Sequence, residues 1–302
     1  MFNVEDYMTW ANTFEKFWFY HAIEKELATR EESFDRDNEL SLETQEAVGS
    51  VSLAFERSVT GEKDGDVYIV GMYYVRPDWR GSGVGSALFD KVTAIGGDAN
   101  MVLHGVIKMS PLYASRYGYD KMPNYQHIAA ALPTEHIVVP KVSSSKYKVK
   151  ASLDFKEVEE TKLIAYDAKI SQRNRAKFFM KFITTGECWV ALDENDDVAG
   201  ICAIRTIPLS NDLSTGPFYT DNEEVARLLL EATVAAIPNI GKYRNLESLY
   251  PGFNETARRF FEKVGGGHAN FHPFTQCAFT KKILPLGDER VFGLLECSSS
   301  FI

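Results

Sequence analysis

Residues 75–88, VRPDWRGSGVGSAL, run an apolar strand into a glycine-rich turn that opens a helix. Few local patterns restrict a chain more. Gly81, Gly83 and Gly85 let the backbone pass close to a ligand without Cβ clashes, and the amides from Gly83 through Val84 and Gly85 to Ser86 point outward at a helix N-terminus that carries about half a positive charge. Such a turn suits a phosphate or pyrophosphate. Arg80, with Ser82 beside it, stands at the mouth with a guanidinium that grips phosphate oxygens. The preceding stretch from Val67 to Val75 is nearly all apolar or aromatic and predicts a buried strand. Val84, Leu88, Val92 and Ile95 then give the next segment a helical stripe, closed by Gly96 and Gly97.

Two nucleotide readings weaken on inspection. A dinucleotide fingerprint starting at Gly81 needs glycine or alanine where Ser86 stands, and no Gly-Lys-Ser/Thr follows as a nucleotide P-loop requires. The pattern present is R-x-x-G-x-G, made by Arg80, Gly83 and Gly85 after an aromatic strand ending Val-Arg-Pro. It resembles the coenzyme A pyrophosphate loop of the GNAT N-acetyltransferase superfamily. The resemblance implies that the strand before the loop splays from its neighbour, and that the backbone of Tyr73, Tyr74 and Val75 pairs with the pantetheine arm and thioester carbonyl. The co-substrate so implied is acetyl-CoA.

Composition agrees with an enzyme of two ordinary cores. The chain has 302 residues, 45% hydrophobic and 25% charged, enough to bury both. A net charge of -9 argues against nucleic acid or anionic membrane as the main partner, since either calls for a basic face. The first residues carry no basic region followed by an apolar run, and no stretch is long enough to span a bilayer, so the expectation is a cytoplasmic protein. All four cysteines, Cys188, Cys202, Cys277 and Cys297, lie in the second half without C-x-x-C spacing. Structural zinc and a redox pair are therefore not expected. The sequence leaves the oligomeric state open.

The chain also repeats itself. Residues 40–53 and 188–204 each read as two short strands around a polar turn, with Gly49 and Gly200 at matching places. Each is followed by a strand containing a glycine (Gly71, Gly216), a helix, and a short closing helix that runs into glycine. Two copies of one domain explain this best. Residues 140–150, rich in serine and lysine, read as the linker, which sets the domains at 1–140 and 151–302. The expected fold class is α/β: two tandem GNAT-like domains, each a mixed, splayed β-sheet flanked by helices.

The copies have diverged. The second half keeps Asn254, Ala257, Phe261, Gly265 and Gly266, which resemble the family's late motif N-x-x-A-x-x-x-Y-x-x-x-G with phenylalanine for tyrosine. Its loop, however, reads Thr-Asp-Asn-Glu-Glu after Gly216-Pro-Phe-Tyr. Acidic groups there suit the helix dipole but repel a pyrophosphate. One intact loop beside one degenerate copy is similar to the tandem GNAT proteins of the YitH type.

Acyl transfer to an amine calls for a base and an acid, because an alkyl amine near pKa 10.4 must lose a proton and the departing thiolate benefits from gaining one. The resemblance makes Tyr113 the acid, although five residues separate it from Gly118 where the family motif has four, so Tyr117 is the alternative. His104, on the strand expected to splay, is the candidate base. The first half has no cysteine for a covalent relay, so transfer is expected to be direct. His268 and His272 follow glycines and precede Pro273, which no helical metal pair survives. Asp193, Asn195 and Asp197 lack the glycine and glutamate of a calcium loop. Trp10, Phe14, Phe17 and Trp18 recur at helical spacing and predict a core face. The expected partners are acyl-CoA and an amine-bearing acceptor; a non-catalytic acyl-CoA sensor or pseudoenzyme is the alternative.

Overall fold

The computed structural model describes residues 4–24, 46–139, 141–207, 210–285 and 287–302. Its first half runs α1 (Val4–Thr13), β1 (Lys16–Ile23), β2 (Ala47–Ser58), β3 (Val67–Val75), α2 (Val84–Gly96), β4 (Met101–Val106), α3 (Ser110–Tyr117) and β5 (His127–Pro133). The second half runs β6 (Lys148–Ala151), α4 (Glu157–Ser171), β7 (Arg173–Asn174), α5 (Ala176–Ile183), β8 (Glu187–Leu192), β9 (Val198–Ile207) and β10 (Asp212–Thr220). It continues with α6 (Glu223–Ala236), β11 (Asn245–Pro251), α7 (Glu255–Val264), β12 (Asn270–Phe279) and β13 (Val291–Gly293).

One mixed sheet passes through both halves in the order β1-β2-β3-β4-β12-β5-β11-β10-β9-β8-β6. The halves exchange strands at its centre. β12, from the second half, pairs with β4 through Cys277 opposite His104, while β5, from the first half, pairs with β11 from Asn245 opposite Pro133 to Pro251 opposite His127. These ladders lie more than 100 residues apart in sequence, and their backbone groups are satisfied only when both halves are folded.

The repeat is visible atom by atom. A Cβ on Gly49 would meet Leu88, Val84 and the Tyr74 carbonyl; one on Gly200 would meet Leu229, Val225 and the Tyr219 carbonyl. In each half a helix therefore docks against a bare point of the sheet at the same place. The apolar stripes of α2 and α3 cover one face of the first half with Leu88, Phe89, Val92 and Tyr113 over Val51, Leu53 and Val70. α6 and α7 cover the second half with Val225, Leu229, Phe260 and Phe261. A third core, fed by both halves, holds Trp10, Phe14, Ile69, Phe178, Ile201, Tyr219 and Phe279.

The aromatic run at the N-terminus departs from expectation. Helix α1 stops at Thr13, and Phe17 and Trp18 lie on β1, paired with Ala54 and Leu53 of β2. The sequence KFWFYHAI is rich in the aromatic residues that favour a pleated surface, and eight ladder partners outweigh the helical spacing. Trp10 and Phe14 remain core residues, with Phe14 stacked on Phe178 at 4.4 Å. Of the expected first-half hairpin, residues 40–45 lie outside the described residues; β2 runs from Ala47 and its hairpin partner is β1. The hairpin at 188–204 forms between β8 and β9, with the Asp193 carboxylate accepting from the amides of Asn195 and Asp197.

Candidate functional site

The loop after β3 stands open. Gly81 and Gly83 adopt positive φ of 85° and 93°, and a Cβ on either would meet nothing within 4 Å. Gly83 caps α2, whose first-turn amides have no intrahelical acceptor. Ser82 braces the turn by donating to the Trp79 carbonyl at 2.7 Å. Arg80 is exposed and donates through Nε to the Val75 carbonyl at 3.2 Å, and no ion pair of Arg80 is found among the described residues. Its neighbour Arg76 is by contrast held by Glu24, Glu46 and Asp78. A guanidinium without an ion pair among the described residues, beside first-turn amides of which Val84 meets only Ser82 Oγ at 3.4 Å, makes an anion cradle.

Below the loop the two parallel strands part. β3 and β4 pair only from Tyr68 opposite Met101 to Val70 opposite Leu103. Beyond that point Met72 takes φ 46°, and the ladder between β2 and β3 slips between Ser50 and Ser52. The slip turns the Tyr73 ring to the helix face, where it meets Phe89 at 5.2 Å and Tyr113 at 6.5 Å. A Cβ on Gly85 would fall on the Tyr73 hydroxyl, so the ring passes directly under the loop. Tyr74 is exposed and Val75 pairs with Gly49 on β2.

Tyr113 lies over Gly105 of β4, with its ring carbons 3.1 Å from where a Cβ would stand. Burial, reinforced by the neighbouring Tyr73 and Tyr117, pushes its phenol up to about 12. It therefore stays protonated at neutral pH. Tyr117 stacks on Phe89 at 4.1 Å.

His104 is at the vertex of the splay. Its Nε2 lies 3.0 Å from the Phe301 carbonyl and its Nδ1 lies 3.4 Å from Nδ1 of His127. Because a carbonyl only accepts, Nε2 carries the proton and the Nδ1 lone pair faces His127. Burial holds His104 down to about 4 and His127 well below the usual histidine range. Both rings are neutral, and neither nitrogen of His104 is presented to an incoming amine.

The second half has the same splay with a different content. β10 and β11 pair only at Leu213 and Ser214, and β13 fills the opening. Phe218 pairs with Gly293, and the Leu294 amide donates to the Leu249 carbonyl at 2.8 Å. Asn254 holds this segment by donating to the carbonyls of Glu289 and Val291, while its Oδ1 caps α7 at the Ala257 amide. The loop itself is capped by Asn222, and Glu223 pairs with Arg227 and Lys263.

Residues 6–108 match the model of the acetyltransferase (GNAT) family. The fold over both halves is similar to that of a protein from Pyrococcus horikoshii assigned provisionally as an acetyltransferase, at TM-score 0.59 and 16% identity over 84% of this chain and 77% of that one. It is also similar to a tandem GNAT protein from the clavulanic acid biosynthesis pathway, at TM-score 0.56 and 16% identity over 77% and 78% of the two chains. Residues 6–108 thus carry a match to the GNAT family, within a two-part fold similar to that of a tandem GNAT protein. An uncharacterized protein of Caenorhabditis elegans is 25% identical over 199 residues, 62% of each chain, so the match spans less than two thirds of that relative's own length.

Within this frame Tyr73 lies under the loop at Gly85 and faces Tyr113, while His104 sits where β3 and β4 part. What the sequence did not disclose is the floor of this parting, built by residues 298–301 from the far end of the chain. No local signal marks it beyond Gly71, a strand glycine, which often signals close approach of another backbone. Among the described residues no group of His, Cys, Asp and Glu could hold a metal ion, and no helix is long and apolar enough to cross a membrane.

Proposed function

We propose that the first half binds one acyl-coenzyme A, with the pyrophosphate on Arg80 and the amides of residues 83–86 and the pantetheine arm along Tyr73, Tyr74 and Val75. From there it passes an acetyl group directly to an amine. The observation that carries this reading is that the first-half splay keeps an open anion cradle at its mouth, whereas the second-half splay is filled by β13. The amine nitrogen attacks the thioester carbonyl, the C–N bond forms, and the C–S bond breaks with the electron pair leaving on sulfur. The protonated Tyr113 hydroxyl donates to that sulfur. With His104 engaged at both nitrogens, the amine proton leaves through water. The division into domains 1–140 and 151–302 belongs to this reading, with β5 and β12 as the exchanged strands. So does a reducing, cytoplasmic setting, supported by four free cysteines.

A coenzyme A release assay across a panel of amines tests the proposal. A second reading, a sensor that binds acyl-CoA without turnover, is favoured by the closure of the splay floor at Gly71 and His104. Tight binding of acetyl-CoA with no release of coenzyme A on any amine would establish the sensor in place of the enzyme.

A further inference from the structure

We propose that residues 298–301 form a fixed wall at the vertex of the first-half splay, restricting the donor to acetyl or a similarly short acyl group. This rests on the acyl-coenzyme A reading above and adds the residues that limit the length of the acyl group. β3 and β4 separate beyond Val70 and Leu103, and at the next positions the segment crosses from one strand to the other. The Ser298 carbonyl oxygen stands where a Cβ on Gly71 would go, and the Phe301 carbonyl accepts from His104 Nε2 at 3.0 Å. Ser299 Oγ lies 3.4 Å from Ser52 Oγ on β2. An acyl group entering from the loop therefore ends against main chain that is half-buried at Ser298 and buried at Phe301.

The second half has a similar close approach. At Gly216, the counterpart of Gly71, the carbonyls of Leu294 and Leu295 approach to 2.5 and 2.7 Å of a Cβ position.

From Ser299 onward the wall is part of the core rather than a lid. Ser299, Ser300, Phe301 and Ile302 are fully buried. Arg175 donates to Ser300 Oγ at 2.7 Å and to the Ile302 carbonyl at 2.6 Å while paired through two hydrogen bonds with Asp167. Ser300 Oγ donates in turn to Glu56 at 2.8 Å, and Arg173 lies over the Phe301 ring at 4.7 Å. Withdrawing the segment would leave a buried ion pair and a buried carboxyl group short of partners, which is costly. A longer acyl chain has no comparable gain to offer.

Calorimetric titration of the full chain with coenzyme A and its acetyl, butyryl and octanoyl thioesters tests this. An open apolar channel would tighten binding about fourfold per added methylene. The wall predicts the opposite: butyryl at least about tenfold and octanoyl at least about a hundredfold weaker than acetyl. Octanoyl-CoA binding as tightly as acetyl-CoA would overturn the wall. Failure of coenzyme A and every thioester to bind would instead overturn the acyl-coenzyme A reading beneath it. Phe301→Ala, checked for folding by circular dichroism, should raise the butyryl-to-acetyl affinity ratio at least about tenfold by letting the segment sink. An unchanged ratio in the folded variant would show that the limit lies elsewhere. Should that variant not fold, the thioester series on the unaltered chain decides the matter.

Discussion

Tyr113 and Phe261 hold equivalent places in the two halves. Each ring faces the aromatic residue two positions after the strand glycine, Tyr73 at 6.5 Å and Phe218 at 6.3 Å. Each also stands five residues before a glycine with positive φ, Gly118 at 75° and Gly266 at 58°. The spacing that separates Tyr113 from the family motif is thus shared by the second half, once the left-handed glycine is taken as the landmark instead of Gly265.

This equivalence favours Tyr113 over Tyr117 as the acid. Tyr113→Phe keeps the ring over Gly105 and removes only the hydroxyl. Turnover should fall about 10² to 10⁴-fold, the range for general acid catalysis, with acetyl-CoA affinity nearly constant. Tyr117→Phe should lose little. Steady-state kinetics on both variants check the assignment, and the reverse pattern would transfer the role to Tyr117.

Arg80→Ala removes an exposed side chain whose one hydrogen bond among the described residues is to the Val75 carbonyl. Coenzyme A affinity should weaken about tenfold or more, since charge-assisted hydrogen bonds are worth about 1.5–3 kcal/mol. The melting temperature of the free protein should not move. Calorimetry beside a thermal melt separates the two effects.

Gly71→Ala should act in the opposite sense. The new methyl would strike the Ser298 carbonyl, an overpacking that costs about 1–3 kcal/mol and lowers the melting temperature. Gly83→Val should mainly abolish binding, because its position opens to solvent yet requires left-handed backbone that a β-branched residue resists. A stable Gly71→Ala variant would show that residues 298–301 do not press on β3.

Stoichiometry tests the second half. With β13 in its splay and Glu223 at its loop, titration should give one acetyl-CoA per chain. Two equal sites would require β13 to leave.

Acid should weaken the protein through His104. Unfolded, its imidazole takes a proton near pH 6.5, whereas in the fold burial holds it to about 4. Between these values the unfolded chain binds more protons. The stabilisation is therefore complete above about pH 6.5 and is lost as pH falls towards 4. In urea melts, His104→Gln should lose less stability than the parent between pH 7 and 5, and equal losses would show that His104 does not titrate across this interval.

The sequence by itself determined the loop, the helix it opens, the two-fold repeat and the loss of the loop in the second copy. The loop and helix are written within about 20 neighbouring residues, where turn chemistry and helical period act directly, and the repeat and its divergence in the self-similarity of such segments. The N-terminal aromatic run misleads because its helical spacing says nothing of β2, the strand that claims Phe17 and Trp18. Only the tertiary structure decided that β5 and β12 change places, that β13 occupies the second splay, and that residues 298–301 close the first. These pairings join segments from about 70 to almost 200 residues apart. They depend on which unpaired strand edges remain once every local element has formed, and backbone groups left open by a splay accept whatever chain the fold delivers to them.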